Sequence, residues 1–591
     1  MKKPIFISIL IILIFSLFGA KALFHSGFYT SHDGEHQLVR QYAFEQGLKD
    51  RQIPVRFSRQ LYNGYGYPLF FFTYRLPFYA GEVFRLAGLS FQDSIKTVFF
   101  VAYIFSGLAM FWFARRWGNL AGLTAAILYM WVPYRFSVMF VRAALGEHAA
   151  AIFVPLLFGS ISSGRKIKIN VLAGTVAIVG LFLSHAMMAQ IVLLAFIPWI
   201  VTHFFINRWK MSLRATKGSA AISSLDSDCH VARAPRNDES EYANNSIIFI
   251  LKTIFMFILG VGLAAYYLIP AAAYRGLTQK LNPNYFADHF VTLKQLIYSP
   301  WGYAFSMKGV ESDGMSFQVG MAQWIVVGLV IILVAIFLLK RSLLFARERY
   351  ILIESISLLV IFFLSIFLMT EKSTQIWNWW KNYINIDMPW RFLLITTFSA
   401  SALAGIVIKG LALSCKARPL LAIILVGLAI YTNRNHLRVN EYLNYPDSKL
   451  VEYRGTSNSD NEYRPKWDDG GIANTFKPEA LISKGSGELT VIRSKSNLLE
   501  LAVRADEDIR VDINTLYFPG WKVFVDGREI NFKYAGEKGI IRIDLGNGYH
   551  MVEAKFSEPT AAMIGDLVSI GSLIALISVI KTLKHESTKT I

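Results

Sequence analysis

The chain has 591 residues, 54% of them hydrophobic and 14% aromatic, with a mean hydropathy of +0.40, which excludes a soluble protein built on one or two cores. Its formal charge of +19 lies mostly in short basic clusters between apolar segments, the pattern of cytoplasmic loops that hold a topology, so no nucleic-acid partner is expected. The two cysteines, Cys229 and Cys415, both fall in segments assigned to the cytoplasm and supply neither a disulfide framework nor a Cys-type metal site.

Lys2 and Lys3 precede an apolar run, Ile5 to Leu23, long enough to cross roughly 30 Å of hydrocarbon as a helix. Ala20-Lys21-Ala22 imitates a signal-peptidase site, but with so many spans to follow the run reads as an uncleaved anchor. Either way the next segment lies outside. Within it, Leu69 to Gly88 is apolar yet interrupted by Arg75, Pro77, Glu82 and Arg85, and reads as interfacial helix on the outer leaflet.

Further spans are expected at Ser94 to Ala114, Leu120 to Val132, Ala149 to Ile161, Val171 to Leu183, Gln190 to Phe205, Ile247 to Ala265, Met321 to Leu339, Ile351 to Met369, Phe392 to Ile408, Leu420 to Tyr431 and Ala561 to Ile580. That makes about twelve, with both termini and every strong basic cluster inside. Residues 207–246 are polar and aperiodic and read as a disordered cytoplasmic insert whose Leu213 to Glu239 part looks like translated repetitive DNA. From 432 to 559 short alternating runs such as Leu489 to Ile492, Leu499 to Val503, Ile509 to Ile513, Trp521 to Val525 and Ile540 to Ile543, with the turn signal Asp526-Gly527, predict a small β-sandwich. The fold class is therefore a polytopic α-helical membrane protein with a C-terminal extracytoplasmic β-sandwich-like domain. It divides into a membrane module at 1–431, with its first outer loop at 24–90, the β-rich domain at 432–559, and a final span and tail at 560–591.

Chemistry concentrates in Ser31-His32-Asp33-Gly34-Glu35-His36, which packs two carboxylates and two imidazoles into six residues of the first outer loop. Asp33 is the candidate base, beside a glycine that lets backbone approach a substrate. It equally suits the N-cap of a helix starting near His36. His32 and His36, spaced i and i+4, are candidate ligands for a divalent metal with Asp33 or Glu35. The same loop holds more arginine than the topology rule predicts, namely Arg40, Arg51, Arg56, Arg59, Arg75 and Arg85. These guanidinium groups need anions, either lipid headgroups and the loop's own Glu45, Asp50 and Glu82, or a bound phosphate. Later outer loops add Pro133-Tyr134-Arg135, Arg142 to His148 with Glu147 as a second acid, Tyr285, Asp288 and His289, and Asp387-Met388-Pro389-Trp390-Arg391. Glu147 paired with Arg142 as a helix-end ion pair is the competing reading. Aromatics on that side, Tyr67 and Tyr74 among them, form interfacial belts or stack on sugar rings. Charges at the membrane midplane are nearly absent, which counts against ion-coupled transport.

The Ser31 to His36 string, Tyr65-Gly66-Tyr67-Pro68 with Leu76-Pro77-Phe78-Tyr79, Ala114-Arg115-Arg116, Pro133-Tyr134-Arg135 and Arg142 to Glu147 resemble the bacterial integral membrane family labelled "6-pyruvoyl-tetrahydropterin synthase-related". More broadly the chain is similar to C-type glycosyltransferases, most closely over Ile5 to Ile161, and the Tyr517 to Trp521 hairpin resembles the outer domains of such enzymes. The resemblance implies a multi-pass protein of the bacterial inner membrane. It implies an inverting transfer of sugar from a polyprenyl-phosphate donor to a glycan, lipid or protein acceptor, in contact with membrane lipid. It makes Asp33 and Glu147 the catalytic carboxylates; the substrate-binding candidates beside them are Glu35, His36, Arg56, Arg59, Tyr67, Arg75, Arg135, Arg142 and Arg391. No cofactor is certain, although a divalent metal at His32 and His36 is compatible. The chain departs from the pattern at Ala143, where glycine is expected, at Arg75, where some relatives carry proline, and in its polar insert. A flippase for lipid-linked saccharide and a non-catalytic envelope assembly protein are the alternatives.

Overall fold

A computed structural model describes residues 3–162, 167–223, 238–279, 282–309, 313–339, 346–384, 386–410, 417–458, 461–468, 478–534 and 538–588. The chain is mostly helical. Among the described residues seven helices are long and apolar enough to cross a membrane: Phe91–Trp117, Ala186–Asn207, Met321–Leu339, Arg349–Met369, Pro389–Gly410, Ala417–Leu437 and Thr560–Lys581. Two bent pairs, Asn119–Met130 with Pro133–Val141 and Ile247–Leu263 with Ala265–Leu277, raise this to nine if each is one span. Three shorter apolar helices, Pro4–Gly19, Leu145–Ser160 and Ile169–Ser184, occupy the remaining expected positions.

Local chemistry sets the breaks. Ser90 accepts the Asp93 N–H at 3.1 Å and starts the long helix Phe91–Ala114. Gly118, at φ +131°, turns the chain into Asn119–Met130. The 51° bend that follows coincides with Pro133, which has no N–H to continue the ladder. At one end of the bundle Glu354 receives the Trp117 indole N–H at 2.9 Å and lies 3.4 Å from Arg116 and 3.5 Å from His203, tying three spans together.

At the opposite end, the helices Gly34–Lys49 and Leu76–Leu86 pack on one another beside Phe91, and Phe71 and Phe72 of Leu69–Phe72 reach the apolar core of the β-rich domain. That domain is two antiparallel sheets, one of five strands (Gly487–Lys495, Leu498–Ala505, Gly548–Phe556, Trp521–Val525, Arg528–Ile530, in spatial order) and one of three (Ala480–Lys484, Ile509–Leu516, Ile540–Leu545). Asp526 and Gly527, both at positive φ (51° and 79°), make the hairpin turn between Trp521–Val525 and Arg528–Ile530.

The boundary at 432 is not a boundary in packing. Phe57, Phe71 and Phe72 of the first loop share one apolar cluster with Leu501, Trp521 and Phe556 of the sandwich, and Phe28–Tyr29 pairs with Tyr442–Leu443. The polar stretch also differs from the reading as an unstructured insert at 207–246. Helix continues from Ala186 to Ser223 and resumes at Asp238, with 224–237 outside the described residues. Alanine, lysine and arginine, frequent in 207–223, have the propensity to carry a helix beyond its apolar part.

Candidate active site

Asp33 stands at the N-cap position of Gly34–Lys49, but its side chain makes no capping bond. Its backbone (φ −113°, ψ 0°) is not in the extended region that aims a capping oxygen at the helix N–H groups. The backbone is held elsewhere: the N–H of His32 donates to the Val141 carbonyl at 3.1 Å, and that of Asp33 donates to the Arg142 carbonyl at 2.9 Å. Two segments about a hundred residues apart in the chain are thereby spliced together. The splice is possible because Ser137–Val141 is a π-helical turn and Ala143 takes a left-handed φ of 48°, the conformation that favours glycine. Among the described residues the half-buried Asp33 carboxylate has no hydrogen bond and no ion pair within 4 Å; Arg40, Tyr74, His36, His32 and Arg391 are the charged and titratable groups that feel it.

Glu147 is different. It is 1% exposed and held by Arg142 Nη1 at 2.8 Å, Arg391 Nη1 at 3.1 Å and the Tyr134 hydroxyl. Arg391 also pairs with Asp387, Nε to Oδ1 at 3.0 Å. Three donors hold this carboxylate as an anion, and Glu147 is the buried centre that fixes both arginines. The Trp390 ring lies under Arg142, 4.6 Å from the guanidinium carbon to the ring centroid. Gly146 lets this segment approach closely: a Cβ there would meet Tyr74 Cε1 at 2.7 Å and the Ser184 carbonyl closer still. That contact brings His185, in the break between two apolar helices, to the site.

His185 and Asp387 complete a constellation that sequence reading left out or did not assign. A lone histidine in a one-residue break between helices gives no spacing signal. Asp387 sits four residues before Arg391, a spacing that was legible as a pair. Burial first, and then the Arg391 charge, lower the His185 pKa to about 4, so the ring is neutral near pH 7.

The other candidates are placed as follows. His36 is half-buried beside Arg40 and Asp33, its pKa lowered by burial and by Arg40. Glu35 is exposed on the first helical turn, near Tyr445 and Tyr453. His32 precedes the helix, so the expected i, i+4 face with His36 does not form. Its Nε2 is 3.1 Å from the Tyr303 carbonyl oxygen and its ring lies 4.2 Å from that of Phe305. Among the described residues no group of three or more His, Cys, Asp or Glu side chains is placed to hold a metal ion, and the donor set at His32 and His36 does not fit one. Gly34 serves packing and not substrate approach, since a Cβ there would meet the Phe28 ring at 2.8 Å and Ser31 closer still.

Four arginines read as phosphate ligands are engaged within the protein. Arg56, fully buried, pairs with Glu558 at 3.1 Å and Asp566 at 2.9 Å and donates to the Tyr266 carbonyl at 2.7 Å. Arg59 reaches Glu479 at 3.8 Å and Ser494 at 3.0 Å in the β-rich domain. Arg75 donates to the Phe70 carbonyl and lies over Tyr266 and Tyr267. Arg135 donates to Ser106 and the His148 carbonyl and lies near Tyr103 and Tyr129. Arg56 is thereby paired with carboxylates, whereas Arg59 Nη2, Arg75 Nη1 and Arg135 Nε are buried without a hydrogen bond. The Tyr67 hydroxyl is likewise committed, accepting the Tyr463 N–H at 2.9 Å.

No protein-family model matches the chain, and no curated protein matches it. Among solved structures it is similar to the arabinofuranosyltransferase AftD from mycobacteria, seen by single-particle cryo-EM. The likeness covers 74% of this chain and 27% of that one at 10% identity, with a TM-score of 0.42, and at that level it supports no inference about activity. The chain thus spans about a quarter of that protein's length.

Proposed function

We propose that this is a membrane glycosyltransferase that moves a sugar from a polyprenyl-phosphate donor to an envelope glycan, lipid or protein acceptor at the outer face of a bacterial cytoplasmic membrane. The observation that carries the reading is Asp33, a half-buried carboxylate at a helix start whose capping role is unfilled, set beside paired arginines at the end of the bundle that carries the β-rich domain. Asp33 takes the proton of the acceptor hydroxyl as that oxygen bonds to the anomeric carbon. The bond from that carbon to the lipid phosphate breaks with inversion, and its electron pair leaves on the phosphate oxygen. Arg142 meets this developing charge: among the described residues only its Nη1 is committed, to Glu147, and Trp390 supports its plane. A positioned base contributes about 10²- to 10⁴-fold in rate.

The test follows transfer of labelled sugar from membrane lipid to envelope material in cells making wild-type protein, Asp33→Asn, or none, at matched protein levels. Loss in both the variant and the null supports the reading. Transfer retained by Asp33→Asn overturns it.

A further inference from the structure

The outer face of the five-stranded sheet sets like charges opposite one another. Lys522 and Lys555 are cross-strand partners, and two residues back along the same strand Glu553 faces Glu500. Directly opposed like charges weaken an antiparallel pair, and Glu553 and Lys555 share one face because side chains alternate with a period of two. Part of this charge is met within the sheet: Lys522 donates to Glu529 at 3.0 Å, and Arg493 lies 3.2 Å from Glu500. Lys555 and Glu553 are left over. Among the described residues neither side chain makes a hydrogen bond or an ion pair, with the other or with a third group.

Lys522, Lys555 and Glu553 line an open cleft of about 480 Å³, together with Phe524, Met563 and Glu558. Glu558 is already paired with Arg56 at 3.1 Å and adds no free charge. The cleft thus presents one unpaired cation and one unpaired anion, two strand residues or about 6–7 Å apart, beside an apolar wall. It lies at the head of a membrane span. Three residues separate the strand Gly548–Phe556 from the helix Thr560–Thr588, and Met563 sits on the first turn of that helix. Only 6% of the span is buried within the protein, and Ile564, Leu567 and Val568, just past the cleft, are exposed as a surface for acyl chains.

We propose that this cleft binds the headgroup of a phosphoethanolamine lipid, with the phosphate between Lys522 and Lys555, the ammonium on Glu553, and the acyl chains along Ile564, Leu567 and Val568. A phosphate joined through two carbons to an ammonium with three N–H donors is the zwitterion that an unpaired lysine and an unpaired glutamate on neighbouring positions complement. An anionic glycerol headgroup satisfies the lysines but leaves Glu553 facing Glu500. A choline headgroup brings the charge without an N–H to donate. The site is separate from Asp33 and independent of the transfer reaction.

The test titrates phosphatidylethanolamine, phosphatidylglycerol and phosphatidylcholine of matched chains, and chain-free glycerophosphoethanolamine, onto the purified full-length protein in detergent. Bound molecules are read by native mass spectrometry, with melting temperature in parallel. Phosphatidylethanolamine should bind at least about tenfold more tightly than each of the others, the size of one charge-assisted hydrogen bond. Lys555→Gln should weaken phosphatidylethanolamine and phosphatidylglycerol alike. Glu553→Gln should abolish the preference for phosphatidylethanolamine while phosphatidylglycerol binds at least as tightly as to wild type. Lys533→Gln, which changes an exposed lysine paired with Asp544 outside the cleft, should alter neither. The three variants should melt with wild type, so that a change in binding reads the site and not the fold. The proposal is overturned if wild type binds the three lipids equally, if phosphatidylglycerol binds tightest, if the chain-free compound binds as well as the lipid, or if Glu553→Gln keeps the preference.

Discussion

The backbone N–H of Asp33 donates to the carbonyl of Arg142, whose guanidinium grips Glu147 at 2.8 Å. A single residue thus positions the candidate base through its backbone and neutralises the buried acid through its side chain. The two carboxylates that look equivalent in sequence take opposite parts, one unspent and one consumed.

Asp33→Asn should lower transfer by at least about 10²-fold while leaving the melting temperature within a degree or two of wild type, because the carboxylate makes no capping bond that the amide would lose. A large drop in stability would show that the side chain is structural after all. Differential scanning fluorimetry beside the transfer assay decides it.

Glu147→Gln should behave in the other way. Removing the shared anion leaves Arg142 and Arg391 buried against a neutral group, a change that costs about 3–5 kcal/mol when one partner of a buried pair is lost. Yield and melting temperature fall together with activity, and a variant that folds normally but is inactive would restore Glu147 as a catalytic acid.

Arg56→Ala should loosen the final helix Thr560–Thr588 from the first loop, since Arg56 joins Glu558, Asp566 and the Tyr266 carbonyl. Two carboxylates then lie partly buried without their cation, again at about 3–5 kcal/mol. Limited proteolysis should cut near 557–560 in the variant and spare wild type. Affinity for a polyprenyl phosphate should stay unchanged in whatever fraction remains folded; a selective loss of that affinity would return Arg56 to the phosphate.

Glu82 predicts a pH effect. Burial, reinforced by Glu45, raises its pKa to about 7, against about 4.3 for a free glutamate. A carboxyl raised on folding contributes stability that is complete below about pH 4 and is lost as the pH rises through 7. Glu82→Gln should therefore match wild type at pH 4 and be more stable at pH 8, by about 2 kcal/mol, while still accepting a hydrogen bond from Gln41. Equal stability at both pH values would mean that Glu82 is ionised in the folded protein.

Most spans and most strands of the sandwich were legible because each is a property of a run of consecutive residues: length, hydropathy, alternation. The arginines misled for a physical reason. Their excess in the first loop correctly announced anions to come, but Glu558 and Asp566 for Arg56, and Glu479 for Arg59, lie several hundred residues away. His185 escaped notice because its neighbours are supplied by Tyr74, Glu147 and Arg391, three separate segments brought together only by packing around Gly146.

Phe57, Phe71 and Phe72 pack against residues that the ribosome adds more than four hundred positions later, such as Leu501, Trp521 and Phe556. Gln52 and Ser496, bonded at 2.7 Å across the same seam, are 444 residues apart in the chain, roughly 20–90 s of synthesis at about 5–20 residues per second. During that interval the three phenylalanines lack the sandwich side chains that complete their cluster. A chain interrupted before the sandwich presents them as a sticky, half-built surface to proteases and chaperones. The loop that carries Asp33 is thus sheltered only once the strands of the sandwich have been made.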